Sequence, residues 1–573
     1  MRPLFVAALV SPTLSLNSVY PDIKSAAFDA GYYGPYPNRS YVTIPGLTSP
    51  LHNVLQLDQR CHDGLYIITT LRGDNVNLGG QSPMIHDTNG SLVWMNATYG
   101  ATFGHGVQRF REKNYLTFWK GDDKAHGHGE GMYFMLDEEY KEAYRFTAGN
   151  GRLGDLHEFR ITEQGTALIT QYRYEKGDWG GPGPKPQGYI WDSVFQEIDI
   201  ETSKVLFEWH AYDHVDIDTS DFPSGSEGRD QFSGYDFFHI NSVDKDALGN
   251  YLVSSRYYQC LLYISGTTNE TLWQLGGRQN SFTDLSNGEA TKLGWQHDAR
   301  WTADYSGITL FDNGARYNLK PKVDVSRGLH IALDLKDMTA KIKNSYINPR
   351  KIISASQGSM QVLPSSNILI GYGYNAAWTE FTVDGEVLCD VHIGSQKYFN
   401  TGAVQTYKVF KQPWVGRPST KPIARFVGGW LYVSWNGATE VSDWLVQGSN
   451  STRMDAKWII GEVQAQKMGF ETGIRIECHL WRFVRVRGVD VTGEVLGESD
   501  PEPVDCEFEH PITKVKLPMV DSSLSSTWTG LIFESLAYIM ATISVYFIWR
   551  WKLYKDAYFF YQQVKYEINY QPT

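Results

Sequence analysis

Three histidines stand at matching places in strand-like segments of the sequence. His157 opens HEFRITEQGTALI, His239 opens HINSVDKDALGNYLV and His297 opens HDARWTADYSGITLF. An imidazole can act as a nucleophile or donate to an anion, so three in one register predict a shared site if their segments surround an axis. The equivalent place in GSMQVLPSSNILIGYG is Gly358, which indicates that folding does not require histidine there. A purely structural role is the alternative for each histidine.

One arginine is placed to assist them. Arg256 closes the strand NYLVSSR, seventeen residues after His239. Its planar cation offers several donors and suits a tetrahedral oxyanion, whereas a surface arginine is the simpler alternative. His105, His126 and His128 lie in glycine-rich loops. Turn backbone explains those glycines more simply than metal binding does, so we leave these three histidines out of the predicted site.

The elements that would position these residues form a repeat. A strand-like segment, a turn with Asp or Gly, and a bulky residue recur six times, about 50 to 70 residues apart, which is typical of four-stranded propeller blades. The turn residues are Asp87, Asp137, Asp199, Ser265, Asp334 and Asp384. Strings such as TALITQY, NYLVSSR, GITLFDN and NILIGYG read as inner strands. With the high aromatic and glycine content, this predicts an all-β fold with a six-bladed β-propeller over roughly residues 45–410.

A second β domain and a membrane anchor are predicted after the propeller. Residues 423–504 resemble a small fibronectin type III-like β-sandwich, with an early buried tryptophan and a late alternating strand. Residues 505–526 would be a stalk, and the apolar run 527–549 is long enough for a transmembrane helix. The basic residues that follow it predict a cytoplasmic tail over 550–573 and place the preceding chain outside the cytosol. A buried helix is the alternative for 527–549.

The other end of the chain agrees with a secretory route. Residues 1–20 contain a short apolar run after Arg2 and read as a signal peptide. Five N-x-S/T sequons support that route as glycosylation sites, and their asparagines are Asn38, Asn89, Asn96, Asn269 and Asn450. Among five cysteines, Cys61 with Cys389, or Cys478 with Cys506, are candidate disulfides. We therefore expect a single-pass membrane glycoprotein whose bulk is extracellular or luminal.

Charge and motifs exclude several classes of function. There are 52 basic and 64 acidic residues, a formal charge of −12, so we expect no nucleic-acid partner. The sequence contains no CxxC pair, which argues against a zinc site. It also contains no G-x-x-x-x-G-K-S/T string, so a site for a phosphate-nucleotide donor is not indicated. We expect neither a cofactor nor a metal.

Several longer strings resemble the arylsulfotransferase family, in particular its fungal membrane-anchored or secreted branch. They are FFHINSVDKDALGNYLVSSR, LWQLGG, WQHDAR, ITLFDNGAR and GSMQVLPSSNILIGYG. The resemblance covers about residues 50–500 and implies a six-bladed propeller. It also implies transfer of a sulfuryl group between phenols without the nucleotide donor PAPS, as in the bacterial arylsulfate sulfotransferases. In those enzymes one histidine is transiently sulfated, while two histidines and an arginine hold the sulfate.

The motifs carry these roles onto four residues of this chain. His297 in WQHDAR matches the nucleophile, His239 and Arg256 match sulfate ligands, and His157 is the third histidine. The expected partners are a small aromatic sulfate donor and a phenolic acceptor. Two other functions stay open. One is a catalytically silent ligand-binding or adhesion propeller. The other is a sulfatase, in which water attacks the sulfated His297.

Overall fold

The computed structural model describes residues 25–125, 127–178, 187–229, 233–317, 319, 321 and 323–505. The predicted signal peptide, transmembrane helix and cytoplasmic tail, together with nearly all of the predicted stalk, lie outside these residues. Within the described part of the chain, no helix is long and apolar enough to cross a bilayer. The all-β prediction is confirmed, because strands dominate the described residues and the two α-helices found among them, Ala26–Asp29 and Ala211–His214, are each one turn long.

Six antiparallel sheets of the described chain, here called sheets I to VI, follow one another along the sequence. Sheet I consists of Val409–Gln412, Tyr66–Leu71, Ser82–His86 and Leu92–Met95. Sheet II consists of Phe103–Phe110, Lys113–Ala125, His128–Leu136 and Glu142–Phe146. Sheet III consists of Phe159–Ile161, Thr166–Asp178, Gln187–Asp199 and Val205–His210. Sheet IV consists of Ile240–Lys245, Tyr251–Ser255, Cys260–Ile264 and Thr271–Gly276. Sheet V consists of His297–Trp301, Gly307–Asp312, Arg327–Asp334 and Thr339–Tyr346, with Thr283–Asp284 added in parallel. Sheet VI consists of Ser359–Val362, Ile368–Gly371, Ala377–Phe381, Val387–His392 and Asn53–Leu57.

Neighbouring sheets pack on one another in a closed ring. Each sheet contacts the next through its first or second strand, and the first strand of sheet VI contacts the first strand of sheet I. Apolar clusters fill the spaces between sheets; one joins Phe195 and Trp209 of sheet III to Val253 and Leu262 of sheet IV. Sheets I and IV therefore stand on opposite walls of the ring, three positions apart in either direction.

Sheets VI and I each combine a strand from the beginning of the ring sequence with a strand from its end. Asn53–Leu57 pairs with Val387–His392 in sheet VI, and Val409–Gln412 pairs with Tyr66–Leu71 in sheet I. A disulfide joins Cys61 to Cys389 beside this closure, across a sequence separation of 328 residues. Cys260 is free and buried, and Cys478 is disulfide-bonded. The chain thus closes the ring by strand pairing and by a covalent cross-link.

The six predicted turn residues all mark the connection between the third and fourth strands of their sheets, counted from the first strand. Asp199 and Asp334 end the third strand, and the other four follow it. Asp137 shows the local cause: its Oδ1 accepts from the backbone N–H groups of Glu139 and Lys141, an arrangement that favours a tight turn. TALITQY and the three strings like it form second strands rather than innermost strands. In sheets III, IV and V the innermost strands are the segments that begin at or just after the three histidines.

Residues after the ring form two further sheets around a separate core. One sheet is Ile423–Val427, Trp430–Ser434 and Glu471–Arg475. The other is Ile459–Gln466, Asp443–Ser449, Phe483–Val489 and Val495–Glu498, with Glu502–Pro503 paired to Phe483–Val489. Trp444 is fully buried between them. Gly437 holds this part against sheets I and II, since its N–H donates to Val93 O at 2.9 Å and its carbonyl accepts from Tyr140 Oη at 2.7 Å.

Short elements complete the described structure. Asn38–Ser40 pairs with Thr48–Pro50. Single 3-10 turns occur at Gln59–Cys61, Ala97–Tyr99, Ile217–Thr219 and Gln396–Tyr398.

Candidate functional site

All four predicted site residues line one cavity of about 390 Å³ at the centre of the ring. His157, His239 and His297 lie at or just before the first strands of sheets III, IV and V. Arg256 follows the second strand of sheet IV, and its N–H donates to His239 O at 2.9 Å. The rings of His157 and His239 are 4.9 Å apart between centroids. All four side chains are almost completely buried.

Each histidine has an acceptor for its Nδ1–H, but the acceptors differ in charge. His157 Nδ1 lies 2.8 Å from Asp155 Oδ2, and His239 Nδ1 is bonded to Asp236 Oδ2. His297 Nδ1 instead lies 2.7 Å from Asn313 Oδ1. A carboxylate partner favours an imidazolium, whereas a neutral amide does not. Two histidines are thus paired with carboxylates and one is kept neutral.

The tautomer of His297 follows from the contacts of Asn313. Asn313 Nδ2 donates to the carbonyl oxygens of Ser354 at 3.0 Å and Gln357 at 2.9 Å, which leaves Oδ1 as the acceptor facing His297. His297 therefore carries its proton on Nδ1 and its lone pair on Nε2. Gln357 N–H donates to that Nε2 at 3.1 Å. Burial and the nearby Arg256 charge hold the pKa of His297 well below its ordinary value.

Asp236 and His239 form a buried pair that shares a proton. Burial raises the pKa of Asp236 to about 7, although His128, His157 and Arg256 act in the opposite direction. Burial and the charges of His157 and Arg256 hold the pKa of His239 well below its ordinary value. The pair therefore gains or loses one proton near neutral pH. Asp155 behaves differently: burial would raise its pKa, but His157 outweighs burial and lowers it.

Arg256 is a buried cation without a carboxylate partner among the described residues. Its Nη2 donates to Ala355 O at 2.9 Å, and its Nε has no hydrogen-bond partner there. Its guanidinium lies about 6 Å from the ring centroids of Tyr257, Trp295 and Tyr317. Removing such a cation from water costs several kcal/mol unless an anion compensates. The cavity is therefore electrostatically suited to an anion beside Arg256.

Two more arginines in the same cavity have a buried Nε with no partner in the described chain, namely Arg72 and Arg316. The Arg316 guanidinium stacks 4.2 Å from the centroid of Phe222. The Arg72 guanidinium stacks 4.1 Å from the centroid of Phe103. The aromatic side chains Tyr257, Tyr317, Tyr374 and Tyr407 also line the cavity. It combines cationic groups with flat apolar surfaces, as a pocket for an aromatic anion requires.

Residues that follow the histidines close one side of the site. Glu158 and Asp298 come directly after His157 and His297 in the chain, so they face away from the cavity. They form a buried ion cluster with Arg300 and Lys408: Arg300 Nη2 is 2.7 Å from Glu158 Oε2 and 2.8 Å from Asp298 Oδ1, and Lys408 Nζ is 3.1 Å from Asp298 Oδ1. Two acids balance two bases there, so this cluster adds no net charge beside the histidines.

The backbone around the cavity is strained at several non-glycine residues. Positive φ angles occur at His239 (54°), Trp295 (59°), Asp298 (56°), Gln357 (64°) and Tyr407 (60°). Such conformations cost of order 1–3 kcal/mol each and persist where the surroundings impose them.

Sequence reasoning found the histidines and Arg256 but missed their partners. Asp155 and Asp236 carry a usable signal, because each precedes its histidine by two or three residues. Asn313 lies within the quoted string ITLFDNGAR. Arg72 has no such signal. Of the histidines left out, His105 donates its Nδ1–H to Thr69 O between sheets I and II, and His128 stacks on Tyr172 at 4.3 Å. His126 lies outside the described residues.

Comparison with models of known protein families gives a match over part of the chain. Residues 106–394 match the family model described as Arylsulfotransferase (ASST), about half of the chain and all three histidines. No curated protein matches the chain.

Solved structures resemble the chain only distantly. A protein of unknown function from Bacteroides caccae is 12% identical, with 61% of this chain and 99% of that chain covered and a TM-score of 0.35. The Cps50 (Swd1) β-propeller domain of Myceliophteria thermophila is 11% identical, with coverages of 58% and 94% and a TM-score of 0.27. Sqt1 of Saccharomyces cerevisiae is 11% identical, with coverages of 61% and 82% and a TM-score of 0.28. At these identities and TM-scores, no conclusion about activity follows from them. The family match covers half of the chain, and on that ground this chain belongs to the arylsulfotransferase (ASST) family.

Proposed function

We propose that this protein is an aryl sulfotransferase that moves a sulfuryl group between phenolic compounds without PAPS, through a sulfated His297. We also infer that sheets I to VI are the blades of a six-bladed β-propeller, because each sheet packs on the next and the sixth packs on the first. The observation that carries the function is one buried cavity holding a neutral histidine, two carboxylate-paired histidines and an arginine whose Nε has no partner in the described chain.

His297 is the best nucleophile of the three histidines. Its neutral partner Asn313 keeps the proton on Nδ1 and leaves the lone pair on Nε2. A low pKa keeps that lone pair unprotonated at neutral pH. In the first step a bond forms between Nε2 and sulfur, while the bond between sulfur and the aryl oxygen breaks. The phenolate leaves with the electron pair, which is reasonable because the pKa of a phenol is about 10.

The other three residues would hold the transferring group. Arg256 can donate to the peripheral sulfate oxygens, and His239 Nε2–H can do so while the Asp236–His239 pair holds its extra proton. His157, whose ring lies 4.9 Å from that of His239, is placed as a further ligand. Such prepositioned donors are typically worth a few kcal/mol in the transition state. The sulfate anion would also compensate the buried charge of Arg256, which has no carboxylate partner in the described structure. In the second step a phenol attacks the sulfur, and the bond between sulfur and Nε2 breaks.

One proton must move from acceptor to donor for the overall exchange to balance. The Asp236–His239 pair suits this task because its proton equilibrium lies near neutral pH. We propose that the pair gives a proton to the departing phenolate and later recovers one from the acceptor phenol.

Attack by His297 requires a local change at Gln357. The Gln357 N–H occupies the Nε2 lone pair at 3.1 Å, so this hydrogen bond must break before a bond to sulfur forms. The same contact favours the alternative function, a silent binding protein in which the histidines hold an anion without turnover. Turnover separates the two functions.

The transfer assay uses purified protein, p-nitrophenyl sulfate and a phenol acceptor. We expect nitrophenol release together with a sulfated acceptor, and loss of both by a factor of at least about 100 in His297→Asn, as for other nucleophile replacements. Product masses with and without acceptor distinguish transfer from hydrolysis.

A matched control is His214→Asn, which alters a histidine that stacks on Trp209 away from the cavity and should keep activity. No release by wild-type protein would favour the binding function. Release that persists in His297→Asn would show that the nucleophile is a different residue.

The cellular setting also belongs to the proposal. We propose secretion and C-terminal anchoring, with the ring and the following sheets extracellular or luminal. The Cys61–Cys389 disulfide supports an oxidising compartment.

A further inference from the structure

Arg72 places a positive charge on a different wall of the cavity from Arg256. It follows the strand Tyr66–Leu71 of sheet I, on the wall opposite the sheet IV strand that carries Arg256. Its backbone is fixed by reciprocal hydrogen bonds with Gln405, at 3.1 Å and 2.7 Å. Its guanidinium makes no hydrogen bond within the described chain, and its Nε is buried.

The two arginines act on different groups. Arg256 influences Asp236, His239 and His297. Arg72 interacts instead with Asp123, Tyr407, Tyr374 and Asp74, and burial lowers its pKa to about 10. The sulfate site proposed above is built from Arg256 and the histidines, which leaves Arg72 available for another group on the substrate.

Aromatic side chains flank the Arg72 end of the cavity. Phe103 lies directly against the guanidinium, at 4.1 Å, and Tyr374 and Tyr407 line the same wall. Hydrogen bonds connect this end to His297, because Gln357 contacts both His297 Nε2 and the Gln405 side chain, and Gln405 pairs with the Arg72 backbone. An aromatic substrate whose ester sulfur lies at His297 can therefore direct its far end toward Arg72. A substituent at that far end is therefore the part of the substrate that Arg72 can contact.

We propose that Arg72 binds a carboxylate on the aromatic substrate, so that the preferred donors and acceptors are phenolic carboxylic acids and their sulfate esters. This inference rests on the proposed function. A guanidinium presents paired N–H donors that match a planar carboxylate, and stacking on Phe103 keeps the donor edge turned into the cavity. A buried cation also gains more from a carboxylate than from a neutral substituent.

Asp123 is the competing anion. Its Oδ2 lies 3.8 Å from Arg72 Nη1, beyond hydrogen-bond distance, and its side chain is one-third exposed. A substrate carboxylate in direct contact would interact more strongly with Arg72 than Asp123 does. Replacing Asp123 by asparagine removes this competition, and should therefore strengthen carboxylate binding.

The test measures binding to the full chain by calorimetry, with no sulfate ester present and with saturating inorganic sulfate to occupy the Arg256 end. We expect 4-hydroxybenzoate to bind at least about tenfold more tightly than 4-hydroxybenzamide, as a charge-assisted bond implies. Arg72→Met should abolish the preference, Arg72→Lys should keep part of it, and Asp123→Asn should increase it. Thermal midpoints check that each variant is folded.

Equal affinity of the two ligands for wild-type protein would overturn the proposal. So would a preference that survives in folded Arg72→Met, or one that disappears in Arg316→Met instead. If Arg72→Met does not fold, an unchanged preference in Asp123→Asn overturns it. The assay needs no turnover, so a wild-type preference without any transfer would contradict the proposed function and leave the carboxylate site standing.

Discussion

The three histidines differ because of the atoms that accept from Nδ1. Asp155 and Asp236 are negative acceptors, and Asn313 is a neutral one. Nearly identical sequence positions therefore receive different chemistry from residues two to sixteen positions away. His157 and His239 are suited to donate to an anion, and His297 is suited to attack. Register alone predicts that the histidines meet; the division of roles depends on these partners.

The Asp236 pKa of about 7 gives a prediction about leaving groups. Below that pH the Asp236–His239 pair holds its extra proton, and above it the proton is lost. Phenol release from phenyl sulfate, whose leaving group needs a proton, should therefore slow as pH rises through about 7. Release from p-nitrophenyl sulfate should slow less, since its phenolate is stable without a proton and only the His239 contact to the sulfate weakens. Single-turnover release without acceptor, measured from about pH 5.5 to about pH 9, checks this because the range covers both sides of the pKa.

Asp236→Asn is the matched variant for that experiment. It cannot carry the titrating proton, so the slowing with phenyl sulfate should vanish while p-nitrophenyl sulfate is still cleaved. Parallel pH profiles for both donors in wild-type protein would show that this pair does not supply the proton.

At the scale of the elements, the start of each innermost strand sets where a side chain enters the cavity. Gly358 occupies this place in sheet VI, and the structure gives a steric reason. Its φ is +108°, and a Cβ there would lie 2.3 Å from Phe311 Cδ1. The preceding Gln357 N–H is bonded to His297. Glycine at this place therefore lets sheet VI approach sheet V closely enough to contact the nucleophile.

Gly358→Ala should consequently damage both stability and activity. We expect a loss of about 1–3 kcal/mol in the free energy of unfolding, from the strained φ and the clash with Phe311. Transfer activity should fall because the Gln357 contact with His297 shifts. Gly385→Ala is the matched control, since Gly385 has a similar φ of +91° but open space around its Cβ. Denaturation curves and the transfer assay on both variants check the prediction. Equal effects at the two sites would contradict the packing argument.

Local signals explain how much of this arrangement the sequence could predict. The turns at Asp137 and its counterparts depend on hydrogen bonds within four residues, so their repeat predicts all six outer hairpins. The innermost strands have no uniform length and run from three residues at Phe159–Ile161 to eight at Phe103–Phe110. The second strands of sheets IV and V are buried throughout. The apolar pattern of TALITQY and related strings therefore predicts a position one strand too far inward. The sequence does not predict that Arg72 lines the cavity, because that position depends on closure of the ring.

For the whole molecule, stability depends on joining residues that are far apart in sequence. Sheets I and VI each contain strands from both ends of the ring, and Cys61–Cys389 spans 328 residues. Closing so long a loop costs conformational entropy on folding. The cross-link already restricts the unfolded chain, so less entropy is lost when the linked chain folds. The disulfide therefore favours the state in which Arg72 faces Arg256.

Removing this cross-link should destabilise the ring. The double variant Cys61→Ser, Cys389→Ser should lose about 2–5 kcal/mol of unfolding free energy. Denaturant titration measures it. A reducing agent is a poorer test because Cys478 is also disulfide-bonded. Cys260→Ser serves as control, since that thiol is unpaired. A double variant as stable as wild type would show that strand pairing alone closes the ring.

The central claim is that sulfur bonds to Nε2 of His297 during turnover. The direct measurement is peptide mass mapping of the protein after incubation with p-nitrophenyl sulfate and no acceptor. We predict that the peptide containing His297 gains the mass of one SO₃ group, that phenol removes it, and that His297→Asn does not acquire it. Transfer activity accompanied by modification of a different residue, or by no modification at all, would contradict the account.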